Sequence, residues 1–186
     1  MSKNAANFPG SIWDSSSPGR TNDRSVDRAP VFEDWDQMVA EMLAVQTALD
    51  ANMFLHAVPN PTGGAVVVGK AVYLLANGTG IALADANGTA PARNFLGLVS
   101  VGAPGSGGTV DVQQSGDLTL TTAQWDTVAG TTGGLTPFTE YYLSGTPGAI
   151  TATVPGTTGD TDIVVGVAKS STVLNIKPRF ILSSHA

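Results

Sequence analysis

Cysteine is absent from the 186 residues, which excludes a disulfide framework, a thiolate metal site and a cysteine nucleophile. Histidine occurs only at His56 and His185, too few for a three-histidine metal centre. Charged residues make up 13% of the chain, about half the usual ~25%. Nine Lys and Arg stand against fifteen Asp and Glu, for a net charge of −6. The nine are spread along the chain and form no basic patch, so nucleic acid is not an expected partner. No apolar run is long enough to cross a bilayer as a helix, and the start Met1 to Phe8 lacks the apolar core of a signal peptide. Neither a membrane nor export is expected, and synthesis in a cytoplasm is.

Catalytic signatures are missing as well. The many Ser and Thr residues have no G-x-S-x-G setting to make one a nucleophile. The glycine run Gly102 to Gly108 carries no Walker lysine and no following helix, so it reads as a hairpin or surface loop rather than a phosphate cradle. Glycan cleavage needs two facing carboxylates. Asp85, Asp111, Asp117, Asp126, Glu140, Asp160 and Asp162 are scattered, mostly near turns, where Asp has a conformational role. Asp160 and Asp162 are the nearest approach to a calcium site, without the D-x-D-x-D-G loop. The expectation is a protein that is not an enzyme and needs no metal or cofactor.

What the chain has in quantity is Gly (22), Pro (11) and apolar residues (42%), a mixture suited to short strands joined by tight turns. Three regions follow. Residues 1–31 show neither helical nor strand periodicity. Phe8, Ile12 and Trp13 stand as apolar anchors in polar surroundings, and Arg20, Arg24 and Arg28 lie in a mixed-charge run. This region reads as an extended N-terminal arm, able to span roughly 100 Å.

Residues 32–55 read as one short amphipathic helix for oligomerisation or docking. Glu33, Asp34 and Asp36 put negative charge at its start, where the macrodipole favours it. Trp35, Met38, Met42, Val45 and Leu49 recur at spacings 3, 4, 3, 4, a heptad seam a little over two heptads long. Val39 and Leu43 widen the stripe, so packing on the β-domain is an alternative use of the same face.

Residues 59–186 read as a compact β-barrel or sandwich, with turn signals such as Asn77-Gly78, Asn87-Gly88, Gly133-Gly134 and Pro147-Gly148 between short apolar runs. Both Asn-Gly pairs are expected as hairpin turns. One helix interrupts the strands: Thr121 to Gln124 is a capping-box pattern, Trp125 and Val128 supply an apolar face, and Gly130 ends it.

The β-region also repeats itself. Shifted by 69 residues, Val72-Tyr73-Leu74 falls on Tyr141-Tyr142-Leu143, Ile81 on Ile150, and Leu96-Gly97-Leu98 on Val165-Gly166-Val167, without a gap. Thr109-Val110-Asp111-Val112 and Thr172 to Ile176 then look like one closing strand, reached through a longer loop in the first half. The halves run from about 70 to 112 and from 139 to 176. The recurring glycine marks a bend or a close backbone approach, and two such halves can close around a shared core.

Two stretches carry a resemblance. Phe8-Pro9-Gly10-Ser11-Ile12-Trp13-Asp14, with Val26-Asp27-Arg28-Ala29-Pro30 and Phe32-Glu33-Asp34-Trp35-Asp36, resembles the start of tailed-bacteriophage virion structural proteins. Gln124-Trp125-Asp126, Gly133-Gly134-Leu135-Thr136-Pro137 and Tyr141-Tyr142-Leu143-Ser144, ending in Val165-Gly166-Val167-Ala168, resemble β-modules of phage head-decoration, cement and head-fibre proteins. The resemblance implies a homotrimer on the outer surface of the head, bound to the major capsid protein and assembled in the host cytoplasm. In that setting Phe8, Ile12, Trp13, Arg20, Arg24 and Arg28 form a capsid-binding arm, and Trp35, Met38, Met42, Val45 and Leu49 the oligomer interface. The alternative reading is a tail or head-fibre adhesin that binds a host-surface glycan or protein at loop tips around Trp125 and Tyr141.

Overall fold

The computed structural model describes residues 32–184, apart from 62–63, 88–90, 93, 104 and 106. The arm, with Phe8, Ile12, Trp13, Arg20, Arg24 and Arg28, lies outside the described residues. The chain divides into two compact units, one ending at Leu49 and the other beginning at Asp50.

Helix α1 spans Phe32–Met53. It contains neither glycine nor proline and is rich in Ala, Leu, Met, Glu and Gln, the better helix formers. Strand β1, Phe54–Pro59, follows with no intervening residue. The sequence pattern carries the helix to residue 55 and opens the β-domain at 59, so this strand corrects both boundaries. Its alternation is hidden by a bulge. His56 and Ala57 fall between the paired positions Leu55 and Val58, and Ala57 takes a φ of 53°. The Asp111 carboxylate holds the bulge, accepting the Ala57 N–H at 2.9 Å and facing His56 Nδ1 at 3.1 Å. These contacts, the Ala57 N–H first, keep Asp111 below the ordinary carboxylate range.

The domain is mainly β, a sandwich of two five-stranded antiparallel sheets. Strands β2 (Ala71–Leu74), β3 (Ile81–Leu83), β4 (Phe95–Val101) and β5 (Thr109–Gln113) join β1 in sheet I, in the order β1-β5-β4-β2-β3. Strands β6 (Gly116–Thr119), β7 (Glu140–Leu143), β8 (Ile150–Thr151), β9 (Thr161–Ala168) and β10 (Val173–Ser184) form sheet II, in the order β6-β10-β9-β7-β8. The same order occurs twice. Neither sheet closes on itself, so the sandwich form, not the closed barrel, is the one adopted.

The repeat holds residue by residue. Ala71 pairs with Leu98, Val72 with Gly97 and, after a bulge, Tyr73 with Phe95. At an offset of 69, Glu140 pairs with Val167, Tyr141 with Gly166 and, after the same bulge, Tyr142 with Val164. The repeat is also larger than the sequence pattern showed. Leu55 opposite Val112 matches Leu118 opposite Leu174, so β1 and β6 belong to their halves. The recurring glycine has the reason expected of it. A Cβ at Gly97 would lie 2.2 Å from the Gln113 carbonyl oxygen, and one at Gly166 would lie 2.2 Å from that of Asn175. Each neighbouring strand passes where a side chain would start.

The halves stack front to back. Ala71 and Leu98, on the back of sheet I, join the shared core with Leu118, Trp125, Tyr141, Leu143, Ile163, Val165, Leu174 and Ile176 from the second half. Val72, Ile81, Val99, Val110 and Val112, on the front of sheet I, form a second core with Val66 and Ala103. Sheet I is therefore apolar on both faces, and β2 and β4 read as almost continuous hydrophobic runs. Sheet II alternates: Tyr141 and Leu143 point inward, while Glu140 and Tyr142 are half-buried on the outer face. Glu140 pairs with Arg179 at 2.9 Å and accepts from the Tyr142 hydroxyl at 2.9 Å. Lys169 and Asn175 both reach Asp117 on the same sheet. A charged outer face ends the stack after two layers, as a terminal repeat must.

Helix α2, Thr122–Ala129, carries the expected caps. Thr121 and Gln124 satisfy each other's backbone N–H, and Gly130 closes the helix at φ 64°. Trp125 is fully buried and donates its indole N–H to the Thr172 carbonyl at 3.0 Å. Asp126 then ties down the following loop, accepting from the N–H groups of Gly134 (2.7 Å) and Gly133 (3.1 Å) and from the Thr131 hydroxyl (3.0 Å). The Gly134 N–H contributes most to holding this carboxyl below its ordinary range. A depressed carboxylate stabilises the fold above its unfolded-state pKa and loses that effect as pH falls through the folded one. Asp126→Asn should therefore lower the melting temperature at pH 7, and the gap to the native chain should narrow below about pH 4. Melting curves at both pH values check this.

Candidate assembly surface

The seam of α1 is exposed. Met38, Met42, Val45 and Leu49 are between 42% and 66% accessible, and Val39 and Leu43 reach 59% and 66%. The Trp35 side chain lies outside the described residues. Exposed apolar side chains are normal when scattered. Six of them on three consecutive turns of one helix form a contiguous stripe, a candidate interaction surface. Between them lie only Ala40, Glu41, Ala44, Gln46, Thr47 and Ala48, so the stretch from Met38 to Leu49 offers broad apolar contact with a single charge, the other carboxylates of the helix standing at its two ends.

Two further features lie in the β-domain. A shallow groove of about 700 Å³ is lined by Ala65, Val66, Val67, Val68, Gly102 and Ala103 on one side and by Ala123, Gln124 and Thr127 of α2 on the other. It forms where the two equivalent connections meet, the loop between β1 and β2 and the helix between β6 and β7. None of its lining residues among those described is charged. Asn60, fully buried, ties the loops that lead into it by donating its side-chain N–H groups to the carbonyls of Gly64 (2.8 Å) and Gly105 (3.2 Å). Val66 and Ala103 then exchange backbone hydrogen bonds at 2.9 and 3.0 Å.

The second feature is Phe138. It is 88% exposed and sits at φ 60°, in the left-handed region that costs an L-residue about 1–2 kcal/mol. The repeat shows what this backbone is for. Phe138 donates its N–H to the Ala168 carbonyl at 2.7 Å, and its counterpart Gly69 donates to the Val99 carbonyl at 2.7 Å. Gly69 has φ 83° and lies under α2, where a Cβ would meet Leu120 and Val128. The first half fills this turn with glycine against a helix; the second holds a phenylalanine out to solvent. The 69-residue offset would have paired the two positions in the sequence, but the repeat there becomes visible only once β2 and β7 are aligned.

Two sequence expectations are corrected. Trp125 and Tyr141 do not form a loop-tip binding surface; both are fully buried in the shared core, with the Tyr141 hydroxyl accepting the Thr136 N–H at 2.9 Å. Tyr141 takes the place of Val72 in the repeat, which is a core position. Asn87-Gly88 does not join a hairpin of β3 and β4, because β3 pairs with β2 and not with β4; Gly88 itself lies outside the described residues. Asn87 instead donates to the Gly145 carbonyl of the second half at 2.6 Å. Asn77-Gly78 does turn the β2–β3 hairpin, with Gly78 at φ 69° and the Asn77 side chain accepting from Thr79.

No family model matches the chain, and no curated protein or solved structure is significantly similar to it. Chemistry must therefore be read from the residues. Among the described residues, no three His, Asp or Glu side chains come together as metal ligands. Asp160 and Asp162 are buried, and Asp160 caps its own turn by accepting the Thr157 N–H at 3.2 Å. His56 and Asp111 form an Asp–His pair, and its visible use is to clamp the bulge of β1. No helix of the described residues is long and apolar enough to cross a membrane.

Proposed function

We propose that this chain is a structural protein of a tailed-bacteriophage virion, a decoration or cement protein on the outer surface of the head. The observation that carries the reading is the contiguous exposed apolar stripe of α1. A chain of this kind works through contacts. The resemblance of its leader and of its β-segments to phage head proteins supports the class of particle.

In this reading α1 associates with two further copies through Trp35, Met38, Met42, Val45 and Leu49, giving a homotrimer. The arm reaches across neighbouring subunits. Phe8, Ile12 and Trp13 anchor it, and Arg20, Arg24 and Arg28 pair with acidic surface on the major capsid protein. Three arms joined through one seam make each further contact intramolecular, so weak individual contacts add to a stable hold. The sandwich faces outward.

Deleting residues 1–31 tests the arm. Co-sedimentation with empty expanded heads should fall at least tenfold in affinity, because multivalent gains of roughly 10²–10⁴ are lost with one of the linked contacts. Undiminished binding would show that the arm is not the anchor. Pairing Met42→Glu with Leu49→Glu tests the seam separately, with loss of the trimer in sedimentation velocity as the expected result. The adhesin alternative predicts that the purified protein blocks phage adsorption; the decoration reading predicts that adsorption is unaffected.

A further inference from the structure

The charge pattern limits how copies of this chain can touch. At a net charge of −6, copies repel one another, and contact between them is least opposed where both surfaces are uncharged. Two features among the described residues of the β-domain meet that condition. One is the groove between residues 65–68 and α2, with no charged residue in its lining. The other is the ring of Phe138, 88% exposed near the end of a loop whose own residues, 130–139, carry no charge, the Asp126 carboxylate being turned onto the loop's backbone at Gly133 and Gly134.

We propose that Phe138 of one copy inserts into the groove of a second copy. The groove is walled by small apolar side chains, Val66, Val67, Ala103 and Ala123 among them, and Val67 is 47% exposed at its rim. At about 700 Å³ it has room for a phenyl ring and the residues on either side. The ring is presented by a backbone that its equivalent position adopts with glycine. Among the described residues the Phe138 side chain is 88% exposed on a strained backbone, and a rigid aromatic anchor in a pocket is how association hot spots are built. The knob and the hole are different surfaces of one chain, so the contact is heterologous: repeated around an axis it closes a ring, and otherwise it extends a chain. This inference rests on the proposed self-association of the protein and supplies it with a contact independent of α1.

The test uses the full chain carrying Met42→Glu and Leu49→Glu, so that helix association does not mask the second contact. In this background the chain should still self-associate in sedimentation velocity at high concentration. Phe138→Gly and Val67→Asp should each weaken that association by roughly tenfold or more, the usual effect of losing an anchor residue. Phe138→Gly should at the same time leave the melting temperature unchanged or raise it, because glycine suits the left-handed turn. The decisive sample is a mixture of the two variants. One keeps a sound groove and the other a sound ring, so together they should form a 1:1 pair that neither forms alone. A seam-charged chain that stays monomeric overturns the proposal and leaves the helix seam standing. So does unchanged association of Phe138→Gly, or a mixture no better than its components.

Discussion

Gly166→Ala is expected to cost about 3 kcal/mol of folding free energy, the upper end of the usual range for overpacking, out of a total of roughly 5–15 for a domain of this size. The added Cβ would sit 2.2 Å from the Asn175 carbonyl oxygen and 2.9 Å from its carbon, and both atoms belong to the backbone of β10. No rotamer change relieves that contact. β9 and β10 must part, and the ladder on either side of the pair Gly166–Ile176 is disturbed with them. Gly97→Ala should cost a similar amount, because its Cβ would meet the Gln113 carbonyl at the same 2.2 Å. Gly64 provides the control. A Cβ there meets nothing within 4 Å, and Gly64→Ala should change stability by no more than about 0.5 kcal/mol. Urea unfolding of the three variants measures all of this together. Two large and nearly equal losses beside one negligible change are the result that follows from a duplicated sheet.

The second large effect separates the halves. Ala71 and Glu140 are equivalent in the repeat, and they sit in opposite environments. Ala71 is fully buried in the core that the halves share. Glu140 is half-buried on the outer face, paired with Arg179 and hydrogen-bonded by Tyr142. Ala71→Glu would place a carboxylate without a partner between the layers, at a cost of about 3–5 kcal/mol. Glu140→Ala removes a largely solvated ion pair and should cost no more than about 1 kcal/mol. Its clearest trace is spectroscopic. The Tyr142 hydroxyl donates to Glu140, which holds the phenol above its ordinary range, so the variant should titrate that tyrosine at lower pH. Equal losses from the two substitutions would contradict the front-to-back stack.

Much of this architecture was legible in the sequence because its signals are local. Both helices announce themselves, α1 by an uninterrupted helix-forming run and α2 by Thr121, Gln124 and Gly130. The duplication was legible through Gly97 and Gly166, since a glycine required by a passing backbone survives when the residues around it diverge. β1 was not, because a bulge at His56 and Ala57 breaks the period of two on which strand recognition rests. The choice of sandwich over barrel was not legible either. It is decided by whether end strands meet across the fold, and both forms need the same alternation within each strand. Trp125 and Tyr141 show the same limit from the side of function. An aromatic on a short helix or strand flanked by turns reads equally as a displayed ring or a buried one, and only packing separates them. Phe138 is the reverse case. It sits beside Pro137 in an ordinary-looking turn, and its exposure and backbone strain are properties of the folded chain.

The central claim is that the chain works as a contact-making component on the outside of a phage head. If the proposal holds, the chain is part of a tailed-phage particle, and electron microscopy of such virions, labelled with an antibody against the β-sandwich, tests that claim most directly. The proposal predicts label at regular sites over the outer surface of the head. Label confined to the tail, or particles that carry none, would contradict it.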